Sequence, residues 1–302
     1  MKKCVFLGFC LLIILNSCTT FNKRNPFPNM EVLQYEDTRI YEFKNVHSNK
    51  LIINIEGSGW TSVLGSKGEN KWNWVGFGSS QLTQVLSDKY IIIIPEKWDW
   101  DPERNYWWDF NARVNYTFDN LLQCYLTGIT GYLKDHNYSS IVLIGYSEGA
   151  LLLPIIYENL KEKHNITGLV SYGFGGFSLH ESYLILKSSP MVPEDQKQVY
   201  KYFYDMYEIN NIDAYLTEKY FLSLMGIKPF DYYKNINIPI LFIHGDLDIN
   251  VPVESTIYIQ ENLTEKPFEF KYYHNMAHNP TTYSQIIDIR KKIAEWIINK
   301  NL

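Results

Sequence analysis

The sequence predicts an α/β protein with a doubly wound, mostly parallel sheet and an inserted helical cap. Short, unbroken apolar runs alternate along the chain with segments of helical spacing, and such runs are typical of strands buried on both faces. One run leads directly into Gly145-Tyr146-Ser147-Glu148-Gly149, and a helix-like stretch follows. A strand, a glycine-flanked serine and a helix in this order indicate a sharp turn that projects the serine into a cleft.

The elements follow one another in the order that such a sheet requires. Residues 31–43 could form one or two opening strands. Later apolar runs predict strands at 51–55, 90–94, 141–144, 168–172, 240–243 and 268–272. Helical spacing predicts helices at 79–86, 116–133, 150–161, 254–261 and 284–299. The segment at about 177–235 interrupts the alternation, is rich in Tyr and Lys, and is predicted to form the helical cap.

Composition excludes several classes of protein. The chain has 302 residues, of which 46% are hydrophobic and 20% charged, as in an ordinary globular protein. Its net charge of -5 argues against a surface for nucleic acid or anionic lipid, which would need clustered Lys and Arg. We therefore expect no nucleic-acid partner.

The first residues are typical of an export signal rather than of the folded domain. Two lysines follow the initial methionine, and an apolar stretch at 5–15 is too short to span a bilayer as a permanent helix. The signal ends in the tetrapeptide Leu-Asn-Ser-Cys at 15–18. This ending resembles the lipobox of bacterial lipoproteins.

That resemblance implies cleavage before Cys18, a diacylglycerol on its sulfur, and a protein anchored in the bacterial cell envelope. Residues 1–17 would be the signal peptide, 18–30 a tether and 31–302 the folded domain. An ordinary secretory signal or an uncleaved signal anchor is the alternative. Cys124 would then carry the one free thiol, so we expect no intramolecular disulfide, and its apolar neighbours predict that it is buried.

The chain supplies the partners that a nucleophilic serine needs. A hydroxyl is a poor nucleophile at neutral pH, so Ser147 requires a base within hydrogen-bond reach and a group that orients the base. The turn after one predicted strand contains Asp246 and Asp248, and the loop after the next strand contains His274 and His278. Serine, acid and histidine thus occur in the order found in one large class of hydrolases.

Here the chain resembles the α/β-hydrolase superfamily of serine esterases, lipases and peptidases. The resemblance covers most of the mature chain. It rests on the Gly-x-Ser-x-Gly turn, on the pattern His-Gly-x-x-Asp-x-x-Val-Pro at 244–252, and on the histidine loop before the last helix. It implies that Ser147 attacks the substrate, that His278 transfers the proton, and that Asp248 fixes the tautomer of the histidine.

Alternatives exist for the acid and for the base. Asp246 could be the acid, but the spacing from His244 favours Asp248. His274 could be the base, but it lies at the end of a predicted strand, which favours His278. We expect Asp246 to stabilise its turn and His244 to be structural.

The negative charge that develops on a substrate oxygen needs preorganised N–H donors. We expect one from the backbone of Glu148 and the other from Ser58, with Gly59 as the alternative. The family often has His-Gly-Gly at this place, whereas this chain has Glu-Gly-Ser-Gly at 56–59. The carboxylates of Glu56 and Glu148 could also hold a substrate amine, although we favour structural hydrogen bonds for both.

The sequence therefore predicts a serine hydrolase that cleaves carboxylic esters through an acyl-enzyme, without a cofactor or a metal. A peptidase or amidase on the same residues is the nearest alternative, and a ligand-binding protein without turnover is the alternative from another class. The aromatic and acidic loop at 98–108 is expected to overhang the site. It could stack on sugars, line an acyl pocket, or pack against the domain.

Overall fold

The computed structural model confirms the predicted α/β class. It describes residues 30–44, 47–59, 62–63, 66–68, 71–73, 86, 88–98, 115–208 and 216–302. Eight strands form one sheet in the order β1-β2-β6-β3-β7-β8-β9-β10. Its members are β1 (Met30–Tyr35), β2 (Thr38–Phe43), β3 (Lys50–Ile55), β6 (Ile91–Pro95), β7 (Ser140–Tyr146), β8 (Ile166–Tyr172), β9 (Ile240–Gly245) and β10 (Phe268–Tyr273). A separate two-stranded ribbon joins β4 (Ser66–Gly68) to β5 (Lys71–Asn73).

All neighbouring strands from β6 to β10 pair in parallel. Their carboxyl ends therefore meet at one edge of the sheet, which is where ligands bind in such folds. The hairpin of β1 and β2 is antiparallel and joins this sheet at β6. Met30 pairs with Phe43, whereas Ile40 pairs with Pro95 at the carboxyl end of β6.

Helices connect the parallel strands. The described helices are α1 (Phe118–Lys134), α2 (Glu148–Leu160), α3 (Leu179–Leu186), α4 (Glu194–Glu208), α5 (Leu216–Met225), α6 (Phe230–Tyr233), α7 (Glu254–Asn262) and α8 (Tyr283–Asn299). The segment between β8 and β9, in which the sequence predicts a cap, contains α3 to α6. None of the helices among the described residues is long and apolar enough to cross a membrane.

Alternate side chains of the central strands pack into two cores, one on each face of the sheet. In β7, Ile141 and Leu143 join the core that includes α1 and α2. Val142 and Ile144 face the opposite way and pack with α8. A strand buried on both faces explains why its sequence is a continuous apolar run rather than an alternating one.

The six strands predicted after residue 50 are all present, with bounds that agree to within two residues. The opening segment forms two strands, and four of the five predicted helices are present. Apart from Leu86, the fifth predicted helix at 79–86 lies outside the described residues. The signal peptide and all but the last residue of the predicted tether also lie outside them.

Candidate active site

Ser147 lies in the turn between β7 and α2 with a strained backbone. Its φ of 53° and ψ of -113° are backbone angles that residues other than glycine rarely adopt. A backbone held at such angles costs about 1–3 kcal/mol of conformational energy. The Ser147 N–H donates to the carbonyl of Tyr172 at 2.9 Å, which ties the turn to the end of β8. The surrounding packing therefore holds the serine at the carboxyl edge of the sheet.

The two glycines of the turn are required by close contacts between backbones. A Cβ added to Gly149 would lie 2.1 Å from the carbonyl oxygen of Ile55, far inside van der Waals distance. A Cβ on Gly145 would lie 2.4 Å from the carbonyl oxygen of Gly149. Only glycine lets α2 begin this close to β3, and this closeness brings the loop after β3 to the serine.

The structure brings Ser147, His278 and Asp248 into one hydrogen-bonded chain. His278 Nε2 lies 2.8 Å from Ser147 Oγ, and His278 Nδ1 lies 2.6 Å from Asp248 Oδ2. A carboxylate can only accept, so Nδ1 donates to Asp248 and Nε2 is left to accept the serine hydroxyl. This is the tautomer in which a histidine can remove a proton from serine.

Asp248 is held by four hydrogen-bond donors. Its Oδ1 accepts the N–H groups of Asn250 and Val251 at 2.8 and 2.9 Å. Its Oδ2 accepts from His278 and also lies 3.2 Å from His244 Nε2. Burial alone would raise the pKa of Asp248, but the charge and hydrogen bonds of the two histidines outweigh it, so the pKa lies well below its ordinary value.

The two alternative residues form a pair of their own. Asp246 Oδ2 lies 2.6 Å from His274 Nδ1, and the His274 side chain is 84% exposed. The His278 side chain, by contrast, is 10% exposed. Asp248 and His278 thus belong to the hydrogen-bonded chain that ends at Ser147. Asp246 and His274 contact each other at the surface instead.

The loop at 56–59, which follows β3, runs beside the serine. A Cβ added to Gly57 would lie 3.2 Å from Ser147 Cβ. The Gly59 N–H donates to the hydroxyl of Tyr116 at 3.4 Å. Glu148 begins α2, where the first N–H groups of a helix have no partner within it. Among the sequence candidates, this geometry supports Ser58 over Gly59 as the second N–H donor.

Both carboxylates considered for amine binding are buried in internal contacts. Glu56 Oε1 accepts from the side-chain amide of Asn54 at 2.6 Å. Glu148 accepts the hydroxyls of Tyr116 and Tyr220 and lies 3.6 Å from Lys97 Nζ. Burial raises the pKa of Glu148, although Lys97 and Tyr116 lower it in part. These contacts favour the structural role for both.

The family of the chain follows from a comparison with known proteins. Residues 90–286, well over half of the chain, match the family model described as Serine hydrolase (FSH1). The chain belongs to the FSH1 serine hydrolase family. The prediction of a serine hydrolase enzyme is therefore confirmed.

Solved structures share the fold of this FSH1 serine hydrolase. Est1E from Butyrivibrio proteoclasticus superimposes with a TM-score of 0.58 and 13% identity, over 90% of this chain and 98% of its own. Pyrococcus horikoshii acylaminoacyl peptidase gives 0.59 and 17% identity over 95% of this chain, which spans 43% of that protein. These likenesses confirm the predicted α/β-hydrolase fold.

One curated relative matches a shorter stretch. The match to Uncharacterized peptidase YtmA of Bacillus subtilis (strain 168) is 32% identical over 76 residues. It covers 24% of this chain and 28% of YtmA. The name of YtmA therefore does not by itself establish an activity for this chain.

Two features of the site are not predicted from the sequence: the buried Lys97 and the contact of His244 with Asp248. Lys97 follows the carboxyl end of β6 and is 2% exposed. The sequence offers one weak signal for it, an ionisable residue shortly after a buried parallel strand, because such strands end at the site edge. His244 Nε2 also lies 3.0 Å from the carbonyl of Val251, so it joins the acid turn to β9.

No three His, Cys, Asp or Glu side chains of the described residues are placed to hold a metal ion. Apart from Trp98, the aromatic loop at 98–108 lies outside those residues. Cys124 is buried, as predicted, and burial raises the pKa of its thiol to about 11.

Proposed function

We propose that this serine hydrolase cleaves carboxylic esters through an acyl-enzyme on Ser147. The observation that carries the proposal is the 2.8 Å contact between Ser147 Oγ and His278 Nε2. Asp248 supports it, because its carboxylate selects the histidine tautomer that accepts the serine proton. We assign the nucleophile, the general base and the orienting acid to these three residues.

Acylation begins when Ser147 Oγ attacks the ester carbonyl and its proton passes to His278 Nε2. The imidazolium that forms is stabilised by the Asp248 carboxylate at 2.6 Å. The carbonyl oxygen becomes an oxyanion, for which we assign the N–H groups of Glu148 and Ser58 as donors. When the carbonyl re-forms, the alcohol leaves with the proton from His278, and the acyl group stays on the serine.

Deacylation repeats these steps with water. His278, now neutral, removes a proton from a water molecule that attacks the acyl carbonyl. The tetrahedral intermediate collapses, the carboxylic acid leaves, and the proton on Nε2 returns to Ser147 Oγ. The residues assigned here suffice for this sequence of steps.

A peptidase is the second candidate, since YtmA and the Pyrococcus horikoshii protein are both called peptidases. The same acyl-enzyme steps cleave an amide if His278 protonates the amine leaving group. An aminopeptidase would also bind a substrate amine with a carboxylate. Glu148 is 4% exposed and is already paired with Lys97. This burial supports ester hydrolysis over an aminopeptidase activity.

The test compares wild type with Ser147→Ala. We expect a fluorophosphonate to label wild type, and short p-nitrophenyl esters to be hydrolysed faster than the matching anilides. Both signals should disappear in the variant. Ser139→Ala is the matched control, because Ser139 is an exposed serine just before the opposite end of the same strand. A well-folded wild type that is not labelled would contradict the proposal and favour the ligand-binding alternative.

We also propose a lipid anchor at Cys18, on the strength of the lipobox-like sequence at 15–18. The mature enzyme would then be held in the bacterial cell envelope. Cells fed an alkyne analogue of palmitate should label wild type but not Cys18→Ala. Equal labelling of both proteins would contradict the anchor and leave the catalytic proposal unaffected.

A further inference from the structure

Lys97 is a lysine buried beside the site, with its side chain 2% exposed. Lysine is almost never fully buried unless it is paired, because removing an ammonium from water costs several kcal/mol. Lys97 lies just beyond the carboxyl end of β6, which pairs in parallel with β3. This adjacency places it beside the loop at 56–59.

The ammonium of Lys97 binds that loop through its backbone. Lys97 Nζ donates to the carbonyl oxygens of Gly57 at 2.5 Å and of Gly59 at 3.3 Å. It also lies 3.1 Å from the hydroxyl of Tyr116. Two of its contacts are therefore carbonyls of a single four-residue loop.

The carbonyl of Gly57 and the N–H of Ser58 belong to one peptide group. In a trans peptide these two bonds point in opposite directions. With the carbonyl directed at Lys97, the Ser58 N–H is directed away from Lys97. The Gly59 N–H is directed at Tyr116 instead, so the loop offers Ser58 rather than Gly59 as a donor.

Glu148 supplies the countercharge and connects this cluster to the nucleophile. Its Oε1 lies 3.6 Å from Lys97 Nζ, and both side chains are 2% exposed. Tyr116 donates to the carboxylate at 2.9 Å. The backbone of Glu148 directly follows Ser147, so one residue carries both the ion pair and an assigned oxyanion donor.

We propose that Lys97 is a positioning residue that, with Glu148 as its countercharge, holds the loop at 56–59 so that the Ser58 N–H stabilises the oxyanion. This inference rests on the proposed acyl-transfer chemistry, because it names the residue that orients one of its donors. It adds a buried ion pair to the assigned serine, histidine and acid.

The primary test is the charge-neutral double variant Lys97→Met/Glu148→Gln in the full-length chain. Lys97→Met alone would leave a buried carboxylate without its cation and could fail to fold. Glu158 and Lys161 supply a matched control, since they form a partly exposed pair at 2.8 Å at the far end of α2. Lys161→Met/Glu158→Gln should behave as wild type.

Two measurements separate positioning from general damage. We expect kcat for a p-nitrophenyl ester to fall about 10- to 100-fold with KM within about threefold, because the donor acts on the transition state. The acidic limb of the kcat/KM profile should not shift, because His278 and Asp248 are untouched. Hydrogen exchange at 56–59 should become about tenfold faster or more, while β10 stays unchanged.

Each outcome decides the proposal. Unchanged exchange at 56–59 overturns it, whether or not the wild type turns over an ester. Faster exchange with kcat within threefold of wild type also overturns it, as does a shifted acidic limb. If wild type shows no labelling of Ser147 at all, the proposed function fails, and the exchange result still decides whether Lys97 orders the loop.

Discussion

Replacing Asp248 with asparagine changes one atom of the site and should remove most of its activity. Asparagine can keep Oδ1 as the acceptor for the N–H groups of Asn250 and Val251. Its amide nitrogen must then stand where Oδ2 accepts from two histidines, at 2.6 Å from His278 and 3.2 Å from His244. Two N–H donors would face each other at both contacts.

The conflict at His278 is relieved if its proton moves from Nδ1 to Nε2, which leaves Nδ1 to accept from the new amide. Nε2 can then no longer accept the proton of Ser147. The negative charge that stabilises the imidazolium is also lost. We expect kcat to fall about 10³- to 10⁴-fold, which corresponds to about 4–5.5 kcal/mol of transition-state stabilisation.

The assay is turnover of a p-nitrophenyl ester, with rates normalised to folded protein. Asp246→Asn is the matched control on the same turn, where the carboxylate pairs with the exposed His274. This contact involves none of the three assigned residues, so the variant should keep kcat within about twofold. A larger loss in Asp246→Asn than in Asp248→Asn would refute the assignment of the acid.

Three further predictions concern stability and reactivity. Burial raises the pKa of Glu96 from 4.5 to about 7, so the folded protein retains a proton that the unfolded chain releases, and stability falls as the pH rises between these values. At 1.36 kcal/mol per pH unit the whole loss is about 3 kcal/mol, of which about 2 kcal/mol falls between pH 5 and pH 7.5. Glu96→Gln should abolish this loss in urea unfolding at those two pH values, and an equal pH dependence in the variant would contradict the reasoning. Gly173→Ala introduces a Cβ at a φ of 71° and 3.2 Å from His278 Cε1, so we expect about 1–2 kcal/mol less stability and about a tenfold lower kcat; unchanged turnover would show that the histidine tolerates the methyl group. The thiol of Cys124 has its pKa raised to about 11, so iodoacetamide near pH 8 should modify it only after unfolding, and rapid modification of the native protein would be inconsistent with its burial.

The parts of the site encoded in short segments could be predicted from the sequence. The turn around Ser147 is specified by five consecutive residues, because two glycines are needed where backbones meet. The choice of Asp248 over Asp246 depended on spacing within one nine-residue pattern. In the structure, Asp248 Oδ2 lies 2.6 Å from His278 Nδ1.

The Lys97 cluster could not be predicted in the same way. Its contacts join residues 40 and 38 positions apart in the chain, at Gly57 and Gly59. They exist because β6 lies next to β3 in the sheet, and a strand order that departs from chain order is not visible in hydrophobic patterning. A lysine after a strand is by itself typical of a surface residue.

The contact between α5 and Glu148, the residue after Ser147, could not be predicted for a related reason. Tyr220 is one of many tyrosines between β8 and β9, and composition alone does not distinguish a tyrosine that packs from one that binds a carboxylate. Its hydroxyl donates to Glu148, 72 positions away in the chain. Only the fold determines which aromatic side chain of α5 meets α2.

The antiparallel hairpin that begins the described chain also orients the domain. Met30 pairs with the last residue of β2, whereas the first residues of β2 lie beside the carboxyl end of β6. The chain therefore enters the domain at the edge opposite Ser147, a strand length of roughly 20 Å away. With the anchor proposed at Cys18, the tether would join the domain at the end of the strands that lies away from Ser147.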